Sequence, residues 1–469
     1  MRGTWSQIIM KSIKMDRRKF IRNSSRLAMA GLAAPLILRT NLFGAEAANN
    51  KLNIACIGLG GQMQGLIEDV LLFGQNIVAL CDVDSAQIEK TRKRFPEKLG
   101  NTKAYKDYRE LFAQEKSLDA VVIATPDHWH ATICAAAMHA GKNVYCEKPL
   151  AHTVGEARRL REISRATGVV TQTGNQGSAS SNFRRSMELV RAGVLGEVTD
   201  VYAWHPKHGW PHSESRPATP DAIPETLDWD MWLGPAPERP YSKGIYHPAQ
   251  WRGWYDFGGG SLADFCCHSF SMPVRSLRLD YPEKIEISGT GMGMESFPTK
   301  CKVDFSFPAK DGRGPVSIHF ITGGDLPPSE ATVGMAETFG NVRETGCLMV
   351  GSNGTLAAGL WNNECFVRLK GDKEFRAASD HPALDGVPKS LPRAPRERHM
   401  LEFIEACKGQ GTTFSPFEIG GHVTEIGAAG LVALRSGRSI DWKGSSMKVP
   451  GLAEASKFIK PQHRKTWGV

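Results

Sequence analysis

The amino-acid sequence predicts an α/β protein in two folded parts: a doubly wound parallel sheet over residues 51–175, then an α+β domain with an open, largely antiparallel sheet over 176–469. Two textures carry this reading. Up to residue 175, short runs of near-continuous apolar residues alternate with helical stretches, the pattern of parallel strands covered on both faces by crossover helices. Beyond it, strand-like runs follow one another with few helices between them. At 469 residues each part is long enough for a core of its own, and 41% hydrophobic with 23% charged residues is ordinary for a globular chain. That composition excludes a disordered, collagen-like or disulfide-scaffold protein.

In the first part the predicted strands are 52–57, 77–81, 120–124, 143–146 and 169–173, with helices near 62–72, 85–95, 128–140 and 154–167. In the second part the strands are 198–204, 284–288, 301–307 and 316–322, and Asp311-Gly312 and Asn353-Gly354 supply the residue types of tight hairpin turns. Nine prolines lie between His205 and Gln250, and six of the eleven tryptophans fall between Trp204 and Trp254. A long loop of this kind inside a compact domain is usually functional. Its tryptophans, with His205, His208, His212, His247 and Arg252, allow two readings. Flat rings suit the C–H faces of pyranoses while His and Arg reach hydroxyls, or the aromatics pin the loop or build a subunit contact. The histidines lack metal-ligand spacing, so no metal is expected.

The net charge of +9 is uneven, because residues 1–48 hold nine basic and two acidic side chains and leave only +2 on the rest. The folded part lacks the basic excess that a polyanion needs, and no nucleic-acid partner is expected. The basic segment reads Met15-Asp-Arg-Arg-Lys-Phe-Ile-Arg22, then twelve apolar-rich residues over 27–38, then Ala45-Glu-Ala47. Twin arginines, a short apolar core and a small-x-small site resemble a Tat export signal, which predicts removal of residues 1–48 and a periplasmic or secreted protein. Twelve residues fall short of the about 20 that span a membrane, so no anchor is expected. The ten cysteines show neither Cys-x-x-Cys pairs nor zinc spacing. Buried free thiols fit a chain that folds in the reducing cytoplasm and crosses already folded.

Gly58-Leu-Gly60-Gly61-Gln62-Met63 follows the first predicted strand and opens the first helix. Glycines there let the backbone turn tightly and approach a pyrophosphate, whose charge the helix N-terminal amides meet. Met63 stands where the third glycine of the dinucleotide fingerprint usually stands. Asp82 ends the second strand twenty-four residues after Gly58, where a carboxylate can accept both ribose hydroxyls and repel a 2′-phosphate. A Rossmann domain with NAD, in preference to NADP, is the expectation.

Two further turns stand at the carboxyl ends of strands, Thr125-Pro126-Asp-His-Trp-His130 and Glu147-Lys148-Pro149, where open sheets bind ligands. Farther on, Gly258-Gly-Gly-Ser-Leu-Ala-Asp264-Phe-Cys-Cys-His268 puts Asp264 and His268 on one side of a helix. With the Gly-x-Gly turn, these motifs in this order resemble the glucose-fructose oxidoreductase / inositol dehydrogenase (Gfo/Idh/MocA) family, over nearly all of residues 51–469. Gly420-Gly-His422, an apolar helix and Gly437-Arg438 are similar to its secreted bacterial members. The resemblance implies that Lys148, Asp264 and His268 are catalytic and that Thr125, Pro126, His130 and Glu147 line the cofactor. Asn175 would border nicotinamide or substrate, and the aromatic stretch before the Asp264 helix separately offers Trp251 and Arg252 for the substrate side. The resemblance also implies a homodimer or homotetramer joined through the open sheet.

Oxidising a carbinol needs a base at the hydroxyl, a cation for the developing oxyanion and a hydride acceptor beside the carbon. His268 can take the proton and Lys148 can stabilise the oxygen, although a lysine lowered in pKa by desolvation could itself be the base. The substrate expected is a small sugar or glycoside. Three activities fit: a sugar oxidoreductase with firmly held NAD, a redox-neutral NAD-dependent glycoside hydrolase, and a non-catalytic sugar-binding module.

Overall fold

Apolar strands need cover on both faces, and here the chain provides it by returning through a helix after most strands. The computed structural model describes residues 50–206, 209–292, 295–460, 463–464 and 467; the leader over 1–48 and His208 lie outside them. β1 (Asn53–Ile57), β2 (Asn76–Cys81), β3 (Lys103–Tyr105), β4 (Ala120–Ile123), β5 (Asn143–Cys146) and β6 (Thr171–Thr173) form one sheet in the order β3-β2-β1-β4-β5-β6. Every pairing in it is parallel. β4 and β5 are buried at every residue. One side packs Leu59, Met63, Ile67 and Leu80 with Phe403, and the other packs Ile123, Ile133, Cys146 and Leu160 with Phe417. Helices His399–Cys407 and Phe417–Ser436, from the far end of the chain, thus help to cover the first sheet. The edge strand β3 was not expected; two of its three residues are exposed, so it carries no apolar run.

The second sheet holds β7 (Val198–His205), β8 (Lys284–Thr290), β9 (Lys300–Phe307), β10 (Val316–Thr322), β11 (Gly346–Gly351), β12 (Gly354–Ala357), β13 (Phe366–Leu369), β14 (Arg376–Ala377) and β15 (Ile440–Asp441). Its order is β14-β13-β12-β11-β7-β10-β9-β8-β15, antiparallel throughout except for β10 on β7. Asp311 and Gly312 join β9 to β10 with φ of +51° and +80°, which is type I′ turn geometry. Along β9, Cys301, Val303, Phe305 and Phe307 are buried and alternate with less buried polar residues, so one face meets the core and the other is open.

The buried face carries helix Gly260–Ser269 and, against it, helix Phe417–Ser436. The second lies close because it presents glycines: a Cβ on Gly427 would sit 2.2 Å from Cys266 Sγ, and one on Gly430 would sit 2.7 Å from Leu262 and Phe305 carbons. That approach fixes the helix bearing Asp264 and His268. Among the described residues, no helix is long and apolar enough to cross a membrane.

Candidate functional site

Beyond β1 the chain turns at Gly58, whose φ is +80° and whose missing Cβ would lie 2.7 Å from the Thr125 amide nitrogen. Glycine meets both demands. The turns after β1 and β4 therefore touch where the strand order reverses, the place where doubly wound sheets form a ligand crevice. Helix Gly61–Leu72 begins there with Gly60 as its N-cap and no side chain capping it. The amides of Gly61, Gln62 and Met63 consequently have no partner within the helix. A Cβ on Gly60 or Gly61 would meet nothing within 4 Å, so the space beside this turn is open. Unpaired amides, the positive end of a helix and open space suit a pyrophosphate.

A cleft of about 360 Å³ runs along this edge, lined by Gly58, Gly60, Gly61, Gln62 and Asp82, then Thr125, Pro126 and His130, then Glu147 and Lys148. Asp82 accepts the Leu59 amide at 2.7 Å and the Asp84 amide at 2.9 Å. Burial outweighs those two bonds and pushes its carboxyl up to about 6. Thr125 Oγ1 is buried without a partner. The His130 ring nitrogens lie 2.7 Å from the Pro149 carbonyl and 3.0 Å from the Thr125 carbonyl, tying the turn after β4 to the turn after β5. These features fit a dinucleotide. The Met63 side chain is fully buried among Leu59, Leu66 and Ile67, so its amide is the part left to meet a ligand.

At the other end of the cleft, Glu147 Oε1 accepts from the side chains of Gln62, through Nε2 at 3.2 Å, and Gln176, through Nε2 at 2.6 Å. Lys148, joined to Pro149 by a cis peptide bond, donates from Nζ to Asp264 Oδ1 at 2.5 Å and to the Asp264 carbonyl at 3.3 Å. Burial opposes the Lys148 charge, but the Asp264 carboxylate more than offsets it and the amine titrates above the usual lysine range. Burial likewise acts to raise Asp264, and the Lys148 ammonium outweighs it, holding the carboxyl below the usual range. One turn on, burial and then the Lys148 charge hold the His268 imidazole well below its ordinary value. Its Nε2 has no hydrogen-bond partner, and the Trp361 ring lies 4.1 Å from it, centroid to centroid.

Lys148 and Asp264 face the cleft, whereas His268 and Asn175 stand behind them, 2% and 4% exposed. Asn175 Nδ2 donates to the Cys267 carbonyl, so it holds helix Gly260–Ser269 and does not border the cleft. Sequence reasoning passed over Asp127, which lines the cleft beside Lys148, Arg252 and Asp264. Burial, then Asp264, push its carboxyl well above the usual range. It stood within a quoted motif but reads as an ordinary first-turn acid. Trp361 sits alone in a loop and gave no signal.

The aromatic loop divides between its two readings, with most of its rings packed on one another and a few in the cleft wall. Trp229, Trp232, Tyr241, Tyr246, Trp254 and Phe257 are buried against one another in a cluster of their own. Trp251 and Arg252 do line the cleft, the Arg252 guanidinium lying 4.4 Å over the Trp251 ring. The loop is joined to the turn after β2: Ser85 donates its amide to Thr226, Asp228 its amide to Val83, and His247 Nε2 lies 3.0 Å from Asp84 Oδ2. It thus brings Trp232, His247 and Pro248 into the cleft wall. Among the described residues, no group of three or more His, Cys, Asp or Glu side chains could hold a metal ion.

A protein-family model described as "Oxidoreductase family, NAD-binding Rossmann fold" matches residues 52–175, and one described as "Oxidoreductase family, C-terminal alpha/beta domain" matches 186–312. The chain is 30% identical over 217 residues to alpha-N-acetylgalactosaminidase of Tannerella forsythia, covering 44% of this chain and 43% of that protein. It is 30% identical over 152 residues to myo-inositol 2-dehydrogenase of Thermotoga maritima, covering 31% and 42%. It therefore spans less than half the length of these curated relatives. The WlbA dehydrogenase of Bordetella pertussis, solved with NADH and UDP-GlcNAcA, superposes with a TM-score of 0.57 at 15% identity, over 84% of this chain and 99% of that one. A levoglucosan dehydrogenase solved with NADH gives 0.56 at 17% identity, over 83% and 99%. At such identities the structures attest the fold. The chain belongs to the Gfo/Idh/MocA oxidoreductase family, and its residues 52–175 are that family's NAD-binding Rossmann domain.

Proposed function

We propose that the protein is a NAD-dependent oxidoreductase that oxidises a sugar or glycoside hydroxyl with a firmly held cofactor. The observation that carries this reading is the Lys148–Asp264 pair at 2.5 Å, standing at the end of the dinucleotide cleft with His268 one helical turn beyond. When bound, NAD supplies the hydride acceptor. Lys148, kept an ammonium by Asp264, donates to the substrate oxygen and stabilises the charge that develops there. His268, kept neutral by burial and with its Nε2 unengaged one helical turn behind Asp264, is the proposed acceptor of the hydroxyl proton, a role that requires its ring to turn toward the cleft. A lysine held charged above its ordinary range has no lone pair to offer at neutral pH, which disfavours Lys148 as the base. Asp264 orients the ammonium, and Asn175 steadies the helix through the Cys267 carbonyl.

Firm retention is supported by the proline-rich loop across the cleft. Sugar chemistry is supported by the inositol dehydrogenase likeness and by the fold shared with levoglucosan dehydrogenase. Export by the Tat route to the periplasm belongs to the same proposal, with residues 1–48 as the signal. Free dinucleotide is scarce there, so a second carbonyl substrate reoxidises the cofactor on the enzyme. The open face of the second sheet is the surface through which copies would form a dimer or tetramer.

A second reading has one observation in its favour, the 30% identity to an alpha-N-acetylgalactosaminidase. There, transient oxidation acidifies a neighbouring C–H, the aglycone is eliminated, water adds, and the oxidation is reversed. A non-catalytic module has the Lys148, Asp264 and His268 cluster against it. Purified mature protein is denatured and the released dinucleotide weighed and its redox state measured; intact protein is then fed a free sugar and a nitrophenyl glycoside separately. Lasting NADH absorbance without nitrophenol supports the oxidoreductase, and nitrophenol release without net NADH supports the hydrolase. Protein carrying no NAD(H) refutes firm retention.

A further inference from the structure

Arg252 lines the cleft together with Asp127, Lys148 and Asp264. Its charge is felt by Asp127 and by Asp264, which puts it at the Lys148 end. Among the described residues its guanidinium makes a single hydrogen bond, from Nη1 to the Ala249 carbonyl at 3.3 Å, and no ion pair. The acids around it are engaged in other ways. Asp264 holds Lys148 at 2.5 Å, and Glu147 accepts from Gln62 and Gln176. Burial pushes the Asp127 carboxyl well above the usual range, toward its neutral form. A guanidinium is a rigid fork of N–H donors, and most of this fork has no partner.

The cation is nevertheless fixed. It lies 4.4 Å over the ring of Trp251, which is 6% exposed, and 5.9 Å from the ring of Trp210. Trp251 donates its amide to the Tyr246 carbonyl at 2.8 Å. Gly258, at the start of the run leading to Asp264, packs so closely that a Cβ there would be 2.8 Å from the Arg252 carbonyl oxygen. Aromatic rings and a locked backbone thus place this side chain, a task that an ion pair within the protein would otherwise perform. A pre-placed charge loses little freedom on binding, and its complement is a planar anion taken by parallel N–H bonds. A pyrophosphate has the amides of Gly61, Gln62 and Met63 to meet it, so the anion for Arg252 comes with the substrate.

We propose that the substrate is an acidic sugar, a hexuronic acid or its glycoside, whose carboxylate pairs with Arg252 while a ring hydroxyl faces Lys148. The reacting groups rest on the oxidoreductase reading; the anion contact does not. Holoenzyme is titrated by calorimetry with glucose against glucuronate and galactose against galacturonate, with their methyl glycosides, and with the corresponding hexose phosphates. Each is also assayed for reduction of the bound cofactor, and Arg252→Gln and Arg252→Lys are measured in the same way. Expected in wild type is a Kd about tenfold to hundredfold lower for each hexuronate than for its hexose, the range of a charge-assisted pair. Arg252→Gln loses that preference, and Arg252→Lys, a point charge without the fork, keeps only part of it.

A hexose bound by wild type as tightly as its hexuronate overturns the proposal without any variant, as does absence of sugar binding. A preference that survives in Arg252→Gln overturns it too, and so does equal weakening of hexose and hexuronate, the mark of a merely structural arginine. Hexose phosphates bound more tightly than hexuronates overturn the carboxylate assignment. Cofactor reduction by hexoses with no preference for hexuronates sinks the subsite and leaves the oxidoreductase standing. Hexuronate binding that depends on Arg252 without any cofactor reduction keeps the subsite and sinks the oxidoreductase.

Discussion

Asp264→Asn keeps the shape of the side chain and removes its charge, leaving the Lys148 ammonium 14% exposed without its 2.5 Å partner. Removing one member of a buried ion pair costs about 3–5 kcal/mol, because the other charge stays desolvated. Lys148 still feels Glu147 and Asp127, and both pair members keep some solvent contact, so the lower end applies, about 3 kcal/mol. At about 2 °C per kcal/mol for a large domain, the melting temperature falls by roughly 6 °C. Lys148→Met does the same from the other side. The double variant leaves no charge unpaired, and exchanging a buried pair for neutral groups is close to neutral, so its melting temperature returns to within about 2 °C of wild type. Activity does not return in Lys148→Met or the double variant, since losing a pre-placed charge at the proposed oxyanion lowers kcat about 10²–10³-fold, and Asp264→Asn lowers it because the ammonium loses the partner that orients it. Calorimetric melting with steady-state kinetics reads both quantities. A double variant no more stable than either single one, or an Asp264→Asn enzyme with wild-type kcat, refutes the reasoning.

The Asp82 carboxyl, pushed up by burial to about 6, takes a proton as pH falls through that value. A neutral carboxyl accepts ribose hydroxyls poorly, so NADH affinity weakens toward acid pH, and fluorescence titration shows that pH dependence lost in Asp82→Asn. Gly58→Ala meets both the +80° φ and the contact at 2.7 Å, and thermal melting shows it destabilised by more than about 2 kcal/mol. Gly60→Ala, at φ −64° with open space, melts like wild type without cofactor but binds the dinucleotide more weakly. His247→Ala removes the 3.0 Å contact with Asp84, and stopped-flow release of the dinucleotide quickens about two- to fivefold. The ten cysteines are free and buried, and burial pushes Cys56, Cys301 and Cys347 up to about 12, so a thiol reagent labels the native protein slowly and the denatured chain fully.

What the sequence disclosed follows a physical division. β1, β2, β4 and β5 were legible because strands buried on both faces need unbroken apolar runs, while β3 is an edge strand with two exposed residues and needs none. The Asp264 and His268 spacing was legible because a helix fixes it. Their meeting with Lys148, 116 residues away from Asp264, was inferred from motif order and from the habit of ligands to sit at strand carboxyl ends. Composition told what the loop aromatics could do but not which way they face, and burying them together offered more apolar contact than presenting them to a ligand. Met63 gave the same ambiguity: a residue in a phosphate turn can hold the ligand by its amide while its side chain fills the core. Trp361 has no neighbours in sequence that mark it, since its position beside His268 is made by the β12–β13 connection.

One ammonium sets the protonation of two neighbours, and this turns two separate motifs into one site. The Lys148 charge holds Asp264 ionised against burial, and the same charge adds to burial in keeping His268 neutral. Asp264 acts on His268 in the opposite sense, yet the imidazole still lies well below its ordinary value. On the proposed reading, acid and base roles are thereby pushed apart: a permanent donor on the lysine and a free lone pair on the histidine. An unpaired Lys148 would be driven toward neutrality by the burial that Asp264 now offsets, and His268 would then lose its closest repelling charge. On that reading the pair fixes which side chain gives a hydrogen bond and which receives the proton, a division of labour that neither motif holds by itself.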